Sequence, residues 1–152
     1  MSALQTLGLG AISGLRSMSG PAFVARAARD GRIPVGGTRL SFLASPWVAT
    51  TLTVLQAGEM VGDKLPLTPS RTSPPPLLGR AGAGALVGAV LSGGRQPATN
   101  ALLGGGAAVA AAFLGENLRT VVGGRTGVPD PLLALTEDAV VLFVGSRLLR
   151  RG

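Results

Sequence analysis

The chain has 152 residues, of which 46% are hydrophobic and only 14% charged, and its formal net charge is +7. A soluble domain of this size carries about a quarter charged residues, so polar groups are too scarce here to coat a water-facing globule, and lipid is the expected solvent. The absence of cysteine and histidine excludes disulfides, thiolate nucleophiles, Cys/His zinc sites and imidazole chemistry. No enzyme activity, cofactor or metal is therefore expected. The positive charge does not indicate a nucleic-acid partner, because the arginines stand between apolar runs and aromatics make up only 3% of the chain. Only Lys64 is a lysine among fourteen basic residues, which with the abundance of Ala and Gly points to a GC-rich bacterial genome, so the location expected is the bacterial inner membrane.

A spanning helix needs about 20 mostly apolar residues. Five stretches meet or approach that length: 3–25, 42–62, 76–93, 98–118 and 131–149. The fold class expected is an all-α integral membrane protein of about five transmembrane helices, forming one domain over 1–152. The first stretch has no basic leader and reads as part of the mature protein. Arg16 lies inside it, and a central arginine costs roughly 3 kcal/mol on insertion scales. Gly14, Gly20 and Pro21 are poor helix formers, so the helix either breaks there, re-entrant, with Arg16 facing protein or water, or tilts to let Arg16 snorkel.

Between the second and third stretches lies "GEMVGDKLPLTPSRTSPPPLLGR", with Glu59, Asp63, Lys64, Arg71 and Arg80 among prolines. On a continuing helix Glu59 and Asp63 share a face, and the prolines stiffen the chain beyond them. A rigid charged loop suits an anionic group, since guanidinium grips phosphate or carboxylate in a fork. A salt-bridged helix end before a connector is the other reading. Lys64 and Arg71 are spaced like the opening of a lipid-phosphatase signature, which fails without its histidines, and a Ser–Lys mechanism has no further support.

Gly10 and Gly14, then Gly84 and Gly88, recur at four-residue spacing and mark close helix packing, internal or in a homodimer. Arg95 follows "GAVLSGG" as Arg16 follows "GAISGL". With "LQAGEMV" against "FLGENLR", which sets Glu59 beside Glu116, and 75–88 against 130–145, this suggests an internal duplication with halves about 1–78 and 79–152. Glu137 and Asp138 sit inside the last apolar stretch. There they serve either as a proton or cation relay or as structural partners of Arg16, Arg80 or Arg95. Eight basic residues against five on alternate sides favour the N-terminus outside and the C-terminus inside.

"GLRSMSGPA" and "GDKLPLTPSRTSPPPLLGRAGAGALVGA" resemble an uncharacterised bacterial family of small polytopic membrane proteins, catalogued as a domain of unknown function. The match is carried by Glu59, Asp63, Lys64, Pro66, Pro69, Ser70, Arg71, Thr72 and Arg80. The resemblance implies a multi-spanning membrane protein and supplies no activity. The function expected is a transporter or channel-like protein for an anionic solute or lipid headgroup, homodimeric and surrounded by membrane lipids. The alternative is a non-transporting scaffold or lipid-binding subunit.

Overall fold

The computed structural model describes residues 2–64, 70 and 72–150. Among these residues there are six α-helices, one short 3₁₀ turn at Ser41–Ala44 and no strand. The helices are α1 (Ala3–Leu15), α2 (Ser19–Arg29), α3 (Pro46–Gly62), α4 (Pro74–Leu91), α5 (Pro97–Thr126) and α6 (Asp130–Arg150).

Prolines set half of the starts. Pro46, Pro74 and Pro97 open α3, α4 and α5, where the missing N–H is no loss and the fixed φ suits a helix. Ser2 and Gln5 close a capping box at the start of α1. Gly127, at φ 67°, ends α5 in the left-handed conformation.

The first apolar stretch is two helices, α1 of 13 residues and α2 of 11. Pro21 is the cause: in a continuous helix it would leave the carbonyl of Ser17 without a donor and press its ring against it. Arg16 is extended (φ −139°, ψ 107°) and the chain turns back at Ser17 and Met18. At 1.5 Å per residue α1 and α2 are about 20 and 17 Å long, each shorter than a hydrocarbon core of about 30 Å.

Contacts fix the direction of every helix. α1 runs alongside α5 in the same direction, with Gly10 against Gly104 and Gly14 against Ala108. α4 runs against both, with Gly84 on Gly104 and Gly88 on Asn100. Gly20 of α2 packs on Leu9 and Ser13, so α2 returns along α1. Glu59, near the end of α3, reaches Ser17 and Met18, whereas α6 meets Arg16 through Asp138 and Gln5 through the Leu148 carbonyl. Direction therefore alternates along the chain, and α1–α3 run opposite to α4–α6 in order.

Both ends of the described chain consequently lie at one end of the bundle, Gln5 beside Leu148. This departs from the N-out, C-in expectation, because the reversal at Arg16 adds one helix to the count. The boundary of the suggested duplication, about 78–79, lies within α4, five residues from its start at Pro74. The repeat segments differ in relation too. Segments 10–16 and 88–95 run antiparallel, whereas 55–61 with 113–119, and 75–88 with 130–145, run parallel.

The core mixes small side chains, with Ala22, Ala25, Ala27, Ala49, Ala108 and Ala112 fully buried, and larger ones such as Leu9, Val24, Leu43, Val87 and Leu91. Many other large apolar side chains point outward, among them Leu102 (78% exposed), Leu114, Leu118 and Phe143. Among the described helices α5 is long and apolar enough to cross a membrane by length and composition.

Candidate functional site: a buried ion-pair cluster at a helix break

A broken helix leaves two sets of unpaired backbone groups, the last carbonyls of one half and the first N–H groups of the next. At the α1–α2 break, side chains from two other helices meet both sets. Arg80, on α4, donates through Nη1 to the carbonyls of Gly14 (2.9 Å) and Leu15 (2.7 Å). Glu59, on α3, accepts from the Ser17 N–H (2.7 Å) and hydroxyl (2.8 Å) on Oε1, and from the Met18 N–H (2.8 Å) on Oε2. A cation thus sits at the negative end of α1 and a carboxylate at the positive end of α2, as the helix dipoles favour. Arg80 Nη2 and Glu59 Oε1 are 3.7 Å apart, which links the two caps. Gln56, one turn before Glu59, donates to the Ser19 hydroxyl at 3.2 Å.

Arg16 itself is fully buried. Its Nε donates to Asp138 Oδ1 at 2.7 Å, and its Nη1 pairs with Asp63. The second oxygen of Asp138 accepts from Lys64 Nζ at 2.6 Å. Asp138 therefore bridges two cations, and Arg16 and Lys64 are balanced by Asp63 and Asp138. Arg16 Nη2, buried, has no hydrogen-bond partner among the described residues. Arg80 lies six residues into α4 and Asp138 eight into α6, so the cluster sits about 10 Å inside the ends of those helices.

The other candidates are placed elsewhere. Glu116 accepts from the Ser70 hydroxyl at 2.6 Å. Glu137 lies 3.6 Å from Arg119 Nη1, and Arg119 also pairs with Asp130. This pair borders a cleft of about 330 Å³ between α5 and α6, walled by Leu118, Val122, Leu133 and Val140. Arg95 stands apart from the Arg16 cluster. It lies in the α4–α5 turn near Asn100, which touches Thr6, and ten residues of α1 separate Thr6 from Arg16, about 15 Å. Arg71, like Pro66 and Pro69, lies outside the described residues. Gly10, Gly14, Gly84 and Gly88 all lie where α1, α4 and α5 touch backbone to backbone.

Sequence reasoning missed Ser17, Met18, Gln56 and Arg119. The first two act through backbone N–H groups, which no residue identity advertises. Arg119 carried a signal, one turn from Glu116 on the same helix, yet it stood at the edge of an apolar stretch and read as a loop charge. At the opposite end of the bundle, exposed Asp30 pairs with Arg32 (2.9 Å) and Arg29 (3.0 Å). The hydrogen bond from Arg32, then that from Arg29, holds its carboxyl below the usual value of 3.8.

This geometry defines an all-helical bundle closed around a charge-balanced polar core. Within that class, the chain belongs to the family described as "Domain of unknown function (DUF4126)", whose family model matches residues 3–148. No curated protein and no solved structure matches the chain.

Proposed function

We propose that the chain is a multi-pass membrane protein that transports a small anionic solute or lipid headgroup past the α1–α2 break. The observation that carries this reading is the Glu59 carboxylate, held by three donors of the break with Arg80 beside it. Half-helix starts buried in a bundle are where transporters hold anionic groups. Here the protein's own carboxylate occupies such a position. An incoming carboxylate or phosphate competes with the Glu59 carboxylate for those donors. The buried Arg16 Nη2 supplies a further donor close to the same turn.

Membrane placement is supported by the large apolar side chains left exposed, Leu102, Leu114, Leu118 and Phe143 among them, and by the close packing of helices on glycine and alanine. The arginine-rich end that carries both ends of the described chain then faces the cytoplasm. The alternating directions also support two three-helix halves, α1–α3 and α4–α6, of opposite sense. The rival reading, a non-transporting scaffold, draws on the mutual pairing of Arg16, Asp63, Lys64 and Asp138, which by itself needs no ligand.

Proteoliposome flux of carboxylate and phosphate anions separates the two. Transport predicts anion flux in the wild type that changes in Glu59→Gln, where the native occupant of the break holds its donors more weakly, and vanishes in Arg16→Ala. No flux, or wild-type flux in both variants, overturns the transporter reading. Glu59→Gln, which keeps most of the hydrogen bonds, guards against misfolding of the arginine variant.

A further inference from the structure

The end of the bundle away from the Arg16 break gathers charge of one sign. The last turn of α2 brings Arg26 and Arg29 there, and the last turn of α6 brings Arg147 and Arg150. Arg32 and Arg95 join them from the connections. Of the seven acidic residues in the chain only Asp30 lies at this end, and it is taken up by Arg29 and Arg32. Cations crowded in this way repel one another and raise the local positive potential, which an anion relieves.

Between α2 and α6 this surface folds into a recess of about 250 Å³. Buried Phe23 and Leu149 form its apolar part, and Arg26, Arg32 and Arg150 surround it with Ser146 alongside. The Arg26 guanidinium lies over the Phe23 ring, 4.8 Å from its centre. Asp30 also lines the recess, where it engages Arg32 through Nη2, and no acid forms an ion pair with Arg26 or Arg150 among the described residues. Guanidinium forks around one point match the oxygens of a phosphate group. A wholly soluble phosphate has no use for the apolar floor. Beside the recess the outer face of α6 continues as exposed Leu142 and Phe143, a path for an acyl chain.

We propose that this recess binds the phosphate headgroup of an anionic phospholipid, with Arg26, Arg32 and Arg150 as its ligands. The site rests on the membrane placement argued above and is independent of transport, since it lies at the other end of the bundle from Glu59. Lipid retention and anion flux therefore fail separately.

Native mass spectrometry of the full chain, released from neutral detergent with phosphatidylglycerol or phosphatidylcholine added at equal concentration, tests it. Phosphatidylglycerol is retained in preference to phosphatidylcholine. Arg26→Gln and Arg150→Gln each weaken that retention about fivefold, the effect of about one arginine at an anionic surface. Arg39→Gln and Arg95→Gln, which change charges at the same end outside the recess, leave it unchanged. Equal retention of the two lipids overturns the proposal, as does equal loss in the outside variants. Displacement of phosphatidylglycerol by inorganic phosphate overturns the lipid as the source of the phosphate. If Arg26→Gln unfolds, the exposed Arg150 decides the matter.

Discussion

Asp138 shows how position decides what an ionic residue is worth. Its two oxygens serve Arg16 and Lys64, and Arg16 has no exposure to solvent. Removing one partner of a buried pair leaves an uncompensated charge and costs about 3–5 kcal/mol. Asp138→Asn, which takes the shared counter-charge from Arg16 and Lys64 and leaves Asp63 against both, should lower stability by about 3 kcal/mol or more, measured by denaturant unfolding in micelles. Asp30 also meets two arginines, but in full exposure, where solvent screens the pairs. Its folded pKa is lowered, so whatever it contributes is present above its unfolded value and is lost as pH falls through the folded one. Asp30→Asn should leave the unfolding midpoint at neutral pH within error. Equal losses for the two variants would show that burial is not what separates them.

At the scale of elements, α1, α4 and α5 are held by shape more than by side-chain bulk. A Cβ placed on Gly14 would overlap the Ala108 carbonyl, and one on Gly88 would overlap that of Asn100. Backbone cannot swing aside as a side chain can, so the helices must separate. Overpacking of this kind costs about 1–3 kcal/mol. Gly14→Ala and Gly88→Ala should each destabilise by roughly 2 kcal/mol in thermal unfolding. Gly79→Ala, on the open side of α4 with nothing within 4 Å, should be neutral or slightly stabilising through helix propensity. If all three behave alike, close backbone approach is not what holds these helices. The four-residue glycine spacing is visible in the chain, but the partner helix is not, because every helix here offers small residues.

The whole molecule is polarised. Apart from Asp30, every acidic residue lies toward the end that holds the α1–α2 break, while most of the arginines lie at the other. The cysteine-free chain makes the consequence easy to check. Single cysteines at Ser2 and Ser146 should be labelled from one side of a sealed vesicle, and one at Thr126 from the other. Labelling of Ser2→Cys and Ser146→Cys from opposite sides would mean that α1 and α2 do not form a hairpin in the bilayer.

By itself the sequence determined the helical class, because long Ala/Gly/Leu/Val runs punctuated by prolines admit little else. It also singled out Arg16, Glu59, Asp63, Lys64, Arg80 and Asp138, because a charge in an apolar chain stands out. It could not say whether the stretch around Arg16 tilts or breaks. A lone helix with an internal arginine and a proline has no reason to turn back until other helices satisfy the groups the turn exposes. Arg80 and Glu59 do that from positions 64 and more than 40 residues away in the chain, and only tertiary structure sets such distances. The same holds for the pairing of Asp138 with Arg16, of Glu137 with Arg119, and for the separation of Arg95 from all of them. Residue identity fixes which charges need partners, and the directions of packed helices fix which partners they meet.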